Sequence, residues 1–422
     1  MRRGLAGQSR TIGKRSGLRV RSQDEVTVRD PSVDRHRSLR MPPATSEDGA
    51  LSIGVEEELF LVDLEDGSPV PWADQLCASM PRFFRGNVAG ELYPCTMELK
   101  TPVYRDLGEI EIALSALRAE TAARAAKLGI GLLASSTHPD MPRGHMILRD
   151  DSRYHRQSAE YRQLIVDQKV VGCHIHIGLE SEEVIPVMNR VRSLLSPLVA
   201  LSANSPFWYG TDTGYASWRT MVWNSWPISG SPPRFLSHAR YKAFVEEQVS
   251  TGVISDASNL YWDVRPSCRW PTLEFRAFDV GRTVEEVVTL VALVRACVRT
   301  VRDEEACGIP AEDVSRELLE AARWRAARDG LGGQLFDVVE RRLKPATDVL
   351  SGLLEKVRPA LQLEGAWGRV SRSVDEALHR GSGDQRQRMA FIRRGGMLDV
   401  VRDSTIRVSS GDATLDIRRS RV

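Results

Sequence analysis

The chain of 422 residues has no run of eighteen or more consecutive apolar residues, the length a helix needs to cross a bilayer. Its first forty residues are too polar and too rich in arginine to supply the apolar segment of a secretory signal. A cytoplasmic protein with no membrane partner is therefore expected. The chain also lacks any CxxC pair. Its six cysteines, Cys77, Cys95, Cys173, Cys268, Cys297 and Cys307, are scattered, which argues against a zinc knuckle or a disulfide framework and leaves free buried thiols as the default. No strong charge of either sign is present: the net charge is +2, and the basic residues share their segments with acids, so there is no nucleic-acid footprint. Small molecules are the expected partners. The motifs of a P-loop, a dinucleotide fingerprint after a strand, an HExxH zinc helix and a GxSxG nucleophile turn are all missing. A nucleotide, if bound, is bound without a P-loop. No internal repeat is found.

With 42% hydrophobic and 27% charged residues, the chain has the material for a large globular core. Residues 1–49 are the exception. They hold eleven Lys or Arg against six Asp or Glu and few large apolar residues, and read as a disordered basic N-terminal tail. Met41 offers an alternative start just before the first convincing strand. From Leu51 onward, strand-like alternation and helical periods interchange: a strand at Leu51–Val62, a helix at Leu107–Leu128 closed by Gly129, a short apolar run at Ile130–Ala134, a strand at Val170–Leu179 and a helix from Glu182 towards Ala203. A loop rich in Trp, Ser, Gly and Pro (Trp218–Phe235) and a strand at Thr272–Val280 follow, and the stretch from Val284 to about Leu361 reads as helical throughout. Blocks of this kind without a repeating βαβ period predict an α+β fold, with one catalytic domain over residues 50–405 and a C-terminal tail at 406–422.

Three strands carry their polar residues at alternate positions, and alternate residues of a strand share a face. Glu56 and Glu58 project together, opposite Val55, Leu59 and Leu61. Two neighbouring carboxylates repel, and either rise in pKa or share a hard divalent ion; alone, the pair is as well explained by a solvated acidic face. Glu57 falls on the apolar side without an account. His174 and His176 share a face opposite Cys173, Ile175 and Ile177, and flank glycines, a pattern suited to a metal or a phosphate contact. Glu274 and Arg276 share a face opposite Leu273, Phe275 and Ala277, with an ion pair across strands as the plainer alternative. Glu91 and Glu98 add two carboxylates around Pro94, which interrupts any single element between them.

At these residues the sequence resembles the glutamate-cysteine ligase type 2 family of carboxylate-amine ligases, which belongs with glutamine synthetase in one fold superfamily. The resemblance spans about residues 52 to 400. It rests on Gly54–Glu58, Met97–Val103, Ser136–Pro139, Gly172–Gly178, Arg265-Pro266 with Thr272–Arg276, and Trp324–Arg328. It departs from the family at Pro94-Cys95-Thr96 and at Arg269-Trp270-Pro271. The resemblance implies an antiparallel β-sheet funnel of the glutamine synthetase catalytic-domain type, covered by helices, with ATP entering at one end and the acceptor carboxylate at the other. It implies metal binding by Glu56, Glu58, Glu91, Glu98, His174 and Glu274, divided into one site near Glu58, Glu91 and Glu98 and a second near Glu56, His174 and Glu274. Magnesium is the expected ion, with manganese as the substitute. Arg276 is expected to meet the transferring phosphate, Arg219 and Arg325 a phosphate or a substrate carboxylate, and His176 the substrate or the metal shell. The implied reaction is ATP-dependent joining of glutamate to cysteine through an acyl phosphate, releasing ADP and phosphate. An amide ligase with another acid or amine, a guanidino kinase-like phosphotransferase, a non-enzymatic sensor and assembly into a homo-oligomer stay open at this point.

Overall fold

Strand β1 (Ile53–Asp63) is central to the sheet: its first half alternates buried Ile53 and Val55 with half-buried Glu56 and Glu58, so that one face enters the core while the other stays chemical, and residues 59–62 are apolar and buried on both faces. The structure, a computed structural model, describes residues 50–144 and 146–407. The expected tail at 1–49 lies outside the described residues, as does the C-terminal tail beyond residue 407. The described residues belong to one compact unit. Around β1 are β2 (Val88–Gly90), β3 (Thr96–Lys100), β4 (Ile130–Leu133), β5 (Cys173–Gly178), β6 (Val264–Pro266) and β7 (Thr272–Phe278). They form a seven-stranded sheet ordered β6-β7-β5-β1-β3-β2, with β4 also paired to β1, and every pairing is antiparallel. The fold is α+β.

Helices cover one face of this sheet. Ile53, Val55, Cys173, Ile175, Ile177, Leu273 and Phe275 share a core with Ile110 and Leu114 of α1 (Leu107–Ala126) and with Val184, Ile185 and Met188 of a later helix, Ser181–Val191. They also meet the long helix Val284–Ala306, whose middle, residues 287–298, is buried all round and mostly apolar. Its start is set by a capping box between Thr283 and Glu286, and that of α1 by Asp106, which accepts from Gly108 and Glu109. The stretch Ser181–Ser202 is long and apolar enough to cross a membrane by length and composition, yet 67% of its apolar window is buried inside the protein. It serves the core.

Glu57, unexplained by sequence pattern, is fully buried on this apolar face and forms a two-pronged ion pair with Arg118 of α1. Arg118 also donates to the carbonyls of Gly281 (2.8 Å) and Arg282 (3.1 Å), so the charge is met by a counter-ion and that counter-ion by further acceptors, the condition under which a buried pair is tolerated.

The expectation of unbroken helix from Val284 to Leu361 is incorrect. The helix stops at Ala306, before Gly308 with φ +68° and Pro310; a helix resumes at Arg316–Asp329, and a hairpin of Gln334–Asp337 with Arg342–Pro345 intervenes before the helix Ala346–Leu363. Gly330, Gly332, Gly333 and Pro345 supply the breaks. The loop expected at Trp218–Phe235 opens with a short helix, Trp218–Trp223, capped by Ser217. Of the cysteines, Cys95, Cys173 and Cys297 are buried, but Cys268 and Cys307 are exposed; all six are unpaired.

Candidate active-site cleft

The other face of the sheet forms the floor of a cleft of about 430 Å³. Register builds the floor. Antiparallel pairing sets Glu58 opposite Glu98, and sets Glu56 between Lys100 on one side and His174 on the other. One row further, His176 faces Glu274, and Glu274 faces Arg265. The β5/β7 register shifts between Phe275 and Phe278, while Arg276 continues the β6/β7 ladder, donating its backbone N–H to Asp263 O at 2.7 Å. A bulge of this kind re-aims a side chain. Pro94 sits in the turn between β2 and β3 that brings Glu91 back beside Glu98.

The floor is electrostatically strained in the direction that a cation relieves. Burial, and then the neighbouring Glu91, push Glu58 up to about 7. Burial followed by Glu98 does the same to Glu91, and burial followed by Glu56 does so to Glu98, each reaching about 7. Glu58 is partly steadied by the Gly172 N–H at 2.8 Å and Glu98 by an ion pair with Lys100. Burial would raise Glu56 too, but His174 and His176 outweigh it and hold that carboxyl well below its ordinary value. Burial, and then Arg276, lower His174 to about 4, so its ring is neutral at neutral pH and its contact with Glu56 (3.5 Å) is not an ion pair.

Among the described residues, one donor atom each from Glu56, Glu98 and His174 lie within 4.8 Å of one another. His174 Nδ1 is buried with no hydrogen-bond partner. An oxygen-rich set with one neutral imidazole, an orphaned ring nitrogen and carboxyls short of positive charge fits a divalent cation such as magnesium or manganese. This grouping cuts across the division expected from the sequence, because Glu98 stands with Glu56 and His174. Glu274 is engaged otherwise: Arg265 clasps it through Nε (2.9 Å) and Nη2 (3.1 Å), and Arg276 Nη1 joins at 2.5 Å. Its carboxyl, which burial would raise, is held far below the ordinary range by Arg276 and then Arg265. The ion-pair alternative is thus realised at Glu274. His176 lines the cleft, with Nδ1 at 3.0 Å from Thr272 Oγ1 and Nε2 at 3.8 Å from Glu56.

Arg219, only 2% exposed, enters the cleft wall from the helix Trp218–Trp223 and donates from Nη2 to Arg276 O at 3.0 Å. Its guanidinium lies across Gly172, where a Cβ would come within 2.3 Å of Nη2, and both Arg219 and Arg276 stand over the Trp223 ring at 5.8 and 5.6 Å. Arg325 is the exception among the expected site residues. It lines no part of the cleft; it pairs with Asp329 (2.5 Å) and donates to Gln334 O (3.2 Å). The helical period turns Arg323 inward instead, to Asp263 at 2.8 Å, and two residues on a helix point nearly opposite ways. Sequence reasoning missed Lys100 and Arg265. Lys100 stands two residues from Glu98 on β3 and so shares its face, whereas the partner of Arg265 emerges only from strand pairing.

A family model described as glutamate-cysteine ligase family 2 matches residues 52–403. A protein of Nocardia farcinica, provisionally named glutamate–cysteine ligase 2-1, is 40% identical over 343 residues, covering 81% of this chain and 89% of the relative. One of Mycolicibacterium smegmatis, provisionally named glutamate–cysteine ligase 2-2, is 39% identical over 352 residues, covering 83% and 88%. Among solved structures, glutamate–cysteine ligase of Francisella tularensis in complex with AMP superposes with a TM-score of 0.61 at 14% identity, covering 84% of this chain and 88% of that one. A bifunctional glutathione synthetase of Pasteurella multocida gives 0.58 at 14%, covering 83% and 51%. At such identities the two structural likenesses are likenesses of fold.

Proposed function

The chain belongs to glutamate-cysteine ligase family 2, and from that premise we propose that it is an ATP-dependent carboxylate–amine ligase that joins glutamate to cysteine and releases ADP and phosphate. The observation that carries the reading beyond family membership is the floor of the cleft: four glutamates and a neutral histidine short of positive charge, walled by Arg219 and Arg276. This is a surface for a cation and for the anions the cation accompanies. The sheet is read as one wall of a funnel of the glutamine synthetase catalytic type, and residues 50–405 as the catalytic domain.

A carboxylate condenses with an amine only after one of its oxygens becomes a leaving group. Transfer of the γ-phosphoryl group of ATP to that oxygen gives an acyl phosphate; the amine attacks its carbonyl carbon, and phosphate departs with the electron pair of the broken C–O bond. Such transfer depends on positioning and charge neutralisation. Glu56, Glu98 and His174, with Glu58 and Glu91 beside them, would hold the divalent cation, which when bound supplies neutralisation of phosphate oxygens. Arg276 offers its fork to the transferring phosphate, and Glu274 with Arg265 fixes the direction of that fork. Arg219 stands alongside, its guanidinium seated on Gly172. No covalent protein nucleophile is used: Cys173, on the back of the sheet, has its thiol pushed well above the ordinary value by burial and then by Glu57.

The rim segment Cys268-Arg269-Trp270 lines the cleft and coincides with a departure from the family pattern. That favours, as a second reading, the same chemistry on another acid or amine. Purified protein given ATP, magnesium, glutamate and cysteine is expected to release ADP and phosphate with the amide product, and a panel of acids and amines separates the two readings. Absence of ADP release with every acid–amine pair overturns both, and turnover indifferent to a chelator overturns the metal assignment.

A further inference from the structure

The helix Ser152–Tyr161, which no sequence motif marked, turns one face to the cleft. Arg153, Arg156, Gln157 and Glu160 all line it, at the i, i+3, i+4, i+7 spacing of a single helical stripe. Tyr154 and Tyr161 of the same helix are buried, at 4% and 6% exposure. The Tyr154 hydroxyl reaches Glu91 Oε2 at 3.3 Å, and just upstream Arg149 donates to Gly90 O and to Asp74 Oδ1, both at 2.6 Å. The helix is therefore held by the sheet edge with its polar stripe over the floor.

Among the described residues, neither arginine of that stripe has a carboxylate within ion-pair distance. Arg153 lies over the Tyr154 ring at 4.8 Å and touches its hydroxyl at 3.4 Å; Arg156 reaches Ser152 Oγ at 3.4 Å. Glu91 feels the charge of Arg153 with no ion pair closed between them. Arg156 stands four residues before Glu160 and is not paired with it, although that spacing commonly closes. By contrast Arg265, deeper in the cleft, spends Nε and Nη2 on Glu274, and Arg276 gives Glu274 its Nη1. Two uncommitted guanidinium groups one turn apart can together meet a group that presents several anionic oxygens, and they offset the repulsion an anion meets on approaching an acidic floor.

We propose that Arg153 and Arg156 form an anion-binding rim that takes the phosphate or carboxylate oxygens of a substrate entering the cleft. The proposal deepens the ligase reading and rests on it for the identity of that substrate. The experiment is equilibrium binding of inorganic triphosphate, ATP and glutamate to the full chain, followed by tryptophan fluorescence or calorimetry, in the wild type, R153A, R156A, the double alanine variant and the double lysine variant. Both positions are exposed, and a thermal melt checks the fold. The double alanine variant is expected to lose tenfold or more in affinity, for triphosphate and ATP together if the rim takes phosphate, or for glutamate if it takes a carboxylate. The lysine pair recovers part of the loss, and the KM of the same substrate rises more than kcat falls. Affinities within twofold of the wild type for all three ligands, or a wild type that binds none of them, overturn the rim. A wild type that binds but forms no amide from any acid–amine pair overturns the ligase reading alone.

Discussion

Removing divalent cations from the protein and raising the pH from 5 to 8 is expected to lower its thermal stability, and restoring magnesium at pH 8 to recover it. Glu58, Glu91 and Glu98 each titrate near 7 in the fold, against 4.5 ordinarily, with burial as the first cause and a neighbouring glutamate as the second. Between those pH values these three glutamates bind more protons in the native protein than in the unfolded chain, so their contribution falls as pH rises; His138 and His174, each lowered to about 4 by burial first, work the other way below their ordinary value and offset part of it. The glutamate contribution is fully present below 4.5 and lost once pH passes about 7. For one group the rise corresponds to about 3 kcal/mol, and because the three share their repulsion the total is less than three times that. A cation takes the place of the protons; at a concentration 100 times its Kd it contributes about 2.7 kcal/mol. A shift in Tm on the order of 5 °C follows for a domain of this size. The assay is thermal unfolding from pH 5 to 8 in a chelator and in excess magnesium or manganese. Magnesium should stabilise at pH 8 and hardly at pH 5, where protons occupy the same oxygens. Glu98→Gln, which removes one repelling charge, should raise the chelator Tm at pH 8 and shrink the magnesium shift. A chelator Tm no lower at pH 8 than at pH 5, or a magnesium shift equal at both, would refute the reasoning. The behaviour of Glu274 is opposite: its contribution is present above its ordinary pKa and lost only as pH falls through a folded value far below this window.

Glu56→Gln and His174→Ala are expected to cut ADP release by about 100-fold or more, beyond what loss of an outer-shell partner costs; steady-state kinetics with both variants folded checks this, and near-wild-type rates would remove the two residues from the site. Gly172→Ala places a methyl 2.3 Å from Arg219 Nη2 and should displace that guanidinium, lowering kcat on the order of 100-fold with a melting temperature close to that of the wild type; unchanged kcat would show that the seat of Arg219 is dispensable. Glu57→Gln leaves Arg118 buried and unpaired, a loss of about 3 kcal/mol or more by denaturant unfolding. Replacing both by apolar residues should recover much of it, and additive losses would argue against a coupled pair.

Much of this was legible in the linear sequence, because a strand has a period of two and the chemistry here is written in that period. Glu56 with Glu58, His174 with His176 and Glu274 with Arg276 each announce a shared face opposite apolar neighbours, and they do lie on the one floor. The α+β class followed from strand and helix blocks without a repeating βαβ period. What a strand cannot encode alone is its partner's register. Only strand pairing sets Glu98 opposite Glu58, brings His174 beside Glu56, and lets Arg265 claim Glu274. A helix adds a harder ambiguity: Arg323 and Arg325 read alike in sequence, and packing sent the first to Asp263 and the second to Asp329, away from the cleft. Glu57 looked misplaced on an apolar face until α1 supplied Arg118 from 61 residues away. Local periodicity decides which way a side chain faces; long-range packing decides what it finds there.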